Sequence, residues 1–255
     1  MWDTVQVENL NGNQISIFGH GGMGIHNKLP IDSRASILEC IEMGSDGTEM
    51  DVQLTADGEL VAFHDADLSG MTRCSGTIHE KTVAEVTACS FNNGSPLATV
   101  REILQAIPDL SEMIITFDCK LYGGTAGSPF YEQYAMAIDN IARDFSMGNR
   151  LFIESQDSSF LRAVRQVNPA LPLFIYPPDF ETGISIARKL DLYGITISVR
   201  DITAKQVQQA HAEGFRVTLW NTNTRKTNRE AVLMSPDYIQ TDNLSYLLRH
   251  AGNLH

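Results

Sequence analysis

The chain has 255 residues, 43% hydrophobic and 20% charged, with a formal net charge of −12. That size and apolar content suit a globular protein with a sizeable core, whereas the acidic excess, with no basic patch to offset it, excludes a nucleic-acid partner. An acidic chain that acts on a phosphate needs a bound cation to offset its field. No run approaches the ~20 apolar residues of a membrane span. The first residues, MWDTVQVENL, lack the basic and apolar regions of a secretion signal; the compartment stays open between cytoplasmic and exported. Cys40, Cys74, Cys89 and Cys119 contain no C-x-x-C pair, which predicts buried or reduced thiols rather than a disulfide scaffold or a metal site.

The first predicted strand, 15–19, runs into GHGGMG at 19–24, a G-x-G-x-x-G pattern. A dinucleotide site needs that turn to open directly into a helix. Here about ten loop residues, including Pro30, intervene before helical spacing begins at Ser33, so the fingerprint is coincidental and no NAD is expected. A helix over 33–43 follows, then a strand over 47–54. Asp57-Gly58 marks a tight turn into a second apolar strand, and the segment of about 60–100 reads as a small insertion. Beyond it, strands are predicted over 112–118, 150–155, 171–176, 194–198, 215–220 and 237–241. Helices are predicted over 131–145, 158–167, 203–214 and 243–252, with Ser33, Ser158 and Thr203 as N-caps and Gly44 and Gly214 as stops. Eight β-then-α units in about 250 residues predict a (β/α)8 TIM barrel of the α/β class. The chain is taken as a single domain, 1–255, with the insertion following the second strand.

In such barrels chemistry sits at the C-terminal strand ends. His20 follows the first strand, Glu49 and Asp51 lie toward the end of the second, and His64 lies just beyond. Asp118 and Lys120 close the third, Glu154 the fourth, and Trp220 with Asn221 the seventh. Glu49 and Asp51 share a strand face, and two carboxylates there repel unless a cation sits between them. With Asp118 they make an oxygen ligand set for one Mg²⁺ or Ca²⁺, and Lys120 supplies a point charge for a phosphate. Two imidazoles flanking a phosphodiester serve as the acid and base that move protons between nucleophile and leaving group. Each of these short patterns alone is commonly a solvated strand face, a surface ion pair or a polar loop. Their joint placement at one end of successive units points to function. His26, His79, His211, His250 and His255 are read as structural or surface residues.

The stretch GSDGTEMDVQLTADGELVAFHDADLSGMT, with His20 before it, resembles the glycerophosphodiester phosphodiesterase family. TFDCK, VTLWNTN and DYIQTDNL echo its later strands. The resemblance implies a metal-dependent hydrolase cleaving glycerophosphodiesters to glycerol 3-phosphate and an alcohol. It implies His20 and His64 as general acid and base, and Glu49, Asp51 and Asp118 as ligands of Mg²⁺ or Ca²⁺. Lys120 is expected on the phosphate and Trp220 along the substrate. In the implied route the substrate's 2-hydroxyl attacks phosphorus and water opens the cyclic phosphate.

Three positions depart from the family pattern. The usual H-R-G is His20-Gly21-Gly22, P-E-N-T is Pro30-Ile31-Asp32-Ser33, and the third-strand glutamate is Asp118. Arg34, Arg73 and Arg200 are candidates to replace the missing arginine. The D-x-K form without that arginine is also similar to the lysophospholipase D and sphingomyelinase D branch, which is the alternative activity. A barrel that keeps the metal site but does not cleave is the alternative from a different class. The expected partner is a small-molecule phosphodiester, with no nucleic acid and no stable membrane insertion.

Overall fold

The computed structural model describes residues 15–250. The segment MWDTVQVENL, the last two residues of the expected 243–252 helix and His255 lie outside the described residues. Nine strands form one sheet: β1 (Ser16–Gly19), β2 (Gly47–Leu54), β3 (Leu60–Ala62), β4 (Ile114–Cys119), β5 (Leu151–Ser155), β6 (Leu173–Ile175), β7 (Gly194–Ser198), β8 (Arg216–Trp220) and β9 (Tyr238–Thr241). Their order is β1-β9-β8-β7-β6-β5-β4-β2-β3, and β1 also pairs with β2. That extra pairing closes the eight parallel strands into a (β/α)8 barrel. β3 stands outside the ring, antiparallel to the end of β2, with Val52 opposite Ala62 and Leu54 opposite Leu60.

Helices alternate with the strands: α1 (Arg34–Glu42), α2 (Val83–Thr87), α3 (Val100–Ala106), α4 (Pro129–Asp144), α5 (Ser158–Val167), α6 (Phe180–Leu190), α7 (Ala204–Ala212), α8 (Arg225–Leu233) and α9 (Leu244–His250). Ser33 caps α1 by accepting from the Ser36 amide, and Thr203 caps α7 in a reciprocal box with Gln206. At α5 the cap is Asp157 rather than Ser158. Its Oδ1 accepts from both the Ser159 and Phe160 amides, two of the donors that the first turn leaves without helical partners.

The barrel interior is layered by the two-residue repeat of its strands. Phe18, Ile114, Phe152, Phe174 and Tyr238, from five strands, form an apolar floor. Two residues further along those strands stand His20, Thr116, Glu154, Tyr176 and Gln240. The aromatic floor therefore closes one end, and polar side chains fill the layers facing the C-terminal mouth.

The 60–100 insertion has its own small core of Val61, Phe63, Leu68, Ile78, Val86, Cys89, Phe91 and Leu97. Here the cysteine expectation is corrected. Cys74 and Cys89 are joined in a disulfide, whereas Cys40 and Cys119 are free and buried. An antiparallel bridge between Thr72 and Phe91 lays the two segments side by side and brings the cysteine Cα atoms to 6.0 Å, within bonding reach.

Candidate active site

The C-terminal mouth holds a cleft of about 710 Å³ lined by all seven expected site residues: His20, Glu49, Asp51, His64, Asp118, Lys120 and Trp220. Strand register explains why the carboxylates meet. Asp51 is the direct neighbour of Asp118 across the β2–β4 ladder, and Glu49 is two residues back on the same face of β2. One oxygen from each of the three lies within 4.8 Å of the others. The Lys120 ammonium sits against two of them, 2.7 Å from Asp51 Oδ1 and 2.6 Å from Asp118 Oδ2.

The cluster fits a hard cation on its own geometry. Glu49 Oε1 and Asp51 Oδ2 are buried with no hydrogen-bond partner, a costly state for a carboxylate unless a cation completes it. Burial, with Asp51 beside it, holds the Glu49 carboxyl well above the usual range. Against the same burial, Lys120 and then the two histidines hold Asp51 below its ordinary value. Burial and Asp51 push Asp118 up against the pull of Lys120.

His20 is fixed from both sides. Its Nδ1 is 2.7 Å from Asp242 Oδ1, on the loop after β9, and its Nε2 is 4.0 Å from Glu49 Oε2. Burial alone would lower its pKa; the Asp242 hydrogen bond, then the charges of Glu49, Asp242 and Asp51, carry it instead up to about 9. His64 follows the buried Phe63 of the insertion core and pairs through Nδ1 with Asp65 Oδ1 at 2.7 Å. The Tyr122 hydroxyl donates to the His64 carbonyl at 3.2 Å. In both residues a carboxylate engages Nδ1 and leaves Nε2 for other work. The Trp220 ring lies 6.4 Å from the His20 ring.

The glycines of 19–24 serve this site. Gly21 has φ of +52°, a region that disfavours side chains, and its amide donates to Glu49 Oε2 at 2.8 Å. A Cβ at Gly21 would lie 1.9 Å from Ile31 Cγ1. Two of the three departures from the family pattern are thus one packing unit: Ile31 fills the space beside Gly21. No arginine lines the cleft among the described residues; Arg34, Arg73 and Arg200 are all exposed and stand outside its lining.

Two contributors lay beyond sequence reasoning. Asp242 is 222 residues from His20, and only the barrel's closure joins them. Asp32 is buried, accepts from the Asp51 amide at 2.9 Å through Oδ1, and leaves Oδ2 without a partner. Burial, then Asp51 and Glu49, raise its carboxyl well above the usual range.

A glycerophosphodiester phosphodiesterase of Caldanaerobacter subterraneus subsp. tengcongensis is 23% identical over 240 residues, covering 90% of this chain and 96% of its own. A putative glycerophosphoryl diester phosphodiesterase from Silicibacter pomeroyi superposes with a TM-score of 0.82 at 20% identity, covering 94% of each chain. A phosphodiesterase of Oleispira antarctica, solved with its product sn-glycerol-3-phosphate, gives 0.81 at 19% identity over 93% of this chain and 96% of that one. The glycerophosphoryl diester phosphodiesterase family model matches residues 24–245, and the chain belongs to that family.

Proposed function

We propose that this protein is a divalent-metal-dependent phosphodiesterase that cleaves glycerophosphodiesters to glycerol 3-phosphate and an alcohol within a single barrel domain. The observation that carries the reading is the shared cleft: two histidines, each tied through Nδ1 to a carboxylate, beside three converging carboxylates. Family membership and the product named for the Oleispira relative support it. Glu49, Asp51 and Asp118 are the residues that would hold Mg²⁺ or Ca²⁺. When bound, such an ion polarises phosphoryl oxygens and offsets developing negative charge.

One imidazole takes the proton of the substrate's 2-hydroxyl as that oxygen attacks phosphorus; the other protonates the departing alkoxide. Their roles reverse when water opens the resulting cyclic phosphate. Asp242 and Asp65 keep the proton-transferring nitrogens directed away from themselves. Lys120 contributes positive charge to the phosphate, and Trp220 walls the substrate. The test is release of glycerol 3-phosphate from glycerophosphocholine with Mg²⁺ or Ca²⁺, and its loss with EDTA. The absence of a cleft arginine among the described residues favours one second reading, a lysophospholipase D- or sphingomyelinase D-like activity. Faster choline release from lysophosphatidylcholine or sphingomyelin than from glycerophosphocholine would establish it.

A further inference from the structure

The proposed metal and proton chemistry draws on residues of β1, β2, β4 and the insertion, with Trp220 along the substrate, and it gives Glu154 and Tyr176 no part. Glu154, on β5, is 2% exposed and lines the cleft. Its Oε1 accepts from Thr196 Oγ1 at 2.6 Å and Gln240 Nε2 at 2.9 Å; Oε2 has no protein partner among the described residues. Both donors are neutral, so they orient the carboxylate without offsetting its charge. Lys120, the cleft's one lysine among the described residues, is already held between Asp51 and Asp118. Burial pushes the Glu154 carboxyl up to about 8, against the two hydrogen bonds that favour its charged form.

Aromatic surface stands in the same part of the cleft. Tyr176 and Trp220 line it with ring planes crossing at 73° and centroids 5.2 Å apart. Tyr176 stands two residues beyond Phe174, the direct ladder neighbour of Glu154 across β5 and β6. Aromatic surface beside a buried carboxyl suits an alkylammonium ion, which is drawn to aromatic quadrupoles and whose own charge draws the carboxyl back to its ionised form. The charge inventory points the same way. The cleft carries Glu49, Asp51, Asp118, Glu154 and Asp157 against Lys120 and two histidines. A divalent ion offsets two of those negative charges, and the phosphodiester restores one.

We propose that Glu154, Tyr176 and Trp220 form a head-group subsite for an alkylammonium ion, so that the preferred substrates are glycerophosphodiesters of amino alcohols rather than of polyols or acids. This rests on the phosphodiesterase reading and narrows it. A polyol hydroxyl also hydrogen-bonds a carboxylate, but it brings no charge, and that difference is what the test reads.

Initial rates on glycerophosphocholine and on glycerophosphoglycerol, at one metal concentration, compare the wild type with Glu154→Gln. The substitution keeps the side-chain shape and the acceptor for Thr196 and Gln240. It is expected to lower kcat/KM for glycerophosphocholine by about 10- to 100-fold, mainly through KM, as loss of a desolvated charge partner does. Glycerophosphoglycerol turnover is expected to stay within about 3-fold, because a neutral hydroxyl keeps most of its hydrogen bond. Tetramethylammonium should inhibit the wild type competitively and Glu154→Gln far less. Equal losses on the two substrates, no loss on either, or no inhibition by tetramethylammonium would overturn the subsite. A wild type that cleaves neither diester refutes the activity instead. Calorimetry with tetramethylammonium on the same two proteins then decides the subsite: binding weakened in Glu154→Gln supports it, and absent or equal binding overturns it.

Discussion

His20 and His64 make the same hydrogen bond in opposite surroundings. Each has Nδ1 2.7 Å from a carboxylate oxygen. For His20 the side chains are 21% and 3% exposed and the partner comes from the far end of the chain; for His64 they are 47% and 40% exposed and the partner is the next residue. The first pair exists only when β9 docks beside β1, and it is strengthened by the surrounding low dielectric. The second is local, screened by solvent, and placed by the insertion rather than by the ring. One imidazole is thus a product of the whole fold, while the other belongs to a small stapled appendage. Identical pairings can therefore differ in how tightly they are coupled to global stability.

The largest expected effect tests what the two halves share. EDTA should take diester hydrolysis to background and lower the melting temperature, with Mg²⁺ or Ca²⁺ restoring both; activity that survives chelation refutes the metal assignment. Next, His20→Ala and His64→Ala should each cost about 10²–10⁴-fold in turnover, and an unimpaired variant removes that histidine from the mechanism. Asp242→Asn against Asp65→Asn sharpens the contrast itself. The buried partner should cost about 2 kcal/mol, the exposed one less than about 1 kcal/mol, measured as kcat/KM at neutral pH. Equal losses would show that burial does not distinguish the pairs.

The His20 pairing also has a pH signature. Its folded pKa of about 9 lies above the ordinary value of 6.5. Its contribution to metal-free stability is therefore complete below pH ~6.5 and lost as pH rises through about 9. Asp242→Asn should bring that transition down, as followed by ring-proton NMR titration of metal-free protein. The smallest effect on turnover is expected from Cys74→Ser. Opening a 15-residue separation removes about 3 kcal/mol of restraint, which hydrogen exchange in the insertion should register. Turnover should fall less than in either histidine variant, since the carboxylate cluster and His20 stay in place. A larger loss would show that the appendage reaches across the cleft.

The barrel was legible because its strands are buried on both faces and read as short apolar runs between turn signals. Glu49, Asp51 and Asp118 were legible because a strand repeats every two residues, which fixes their shared face before any contact is known. What escaped depends on pairings the repeat does not encode. Asp242 reads as a residue ahead of a helix until β9 meets β1. The Cys74–Cys89 bridge depends on a single antiparallel pairing, Thr72 with Phe91, in a segment with no regular period. Asp157 and Ser158 are both good caps, and the choice rests on which of them keeps extended backbone ahead of the first turn, which here is Asp157. Arg34, Arg73 and Arg200 stand outside the cleft lining for a similar reason, because proximity to a strand end does not say which way a side chain leaves the surface.

Gly21 and Ile31 carry a consequence for how this loop can change. An arginine at 21 collides with Ile31 and disfavours the positive φ that aims the Gly21 amide at Glu49. Changing Gly21 alone is therefore opposed twice, by the space Ile31 fills and by the positive φ of the loop. An engineer placing an arginine at 21 would have both to empty the space held by Ile31 and to re-route the loop away from its positive φ.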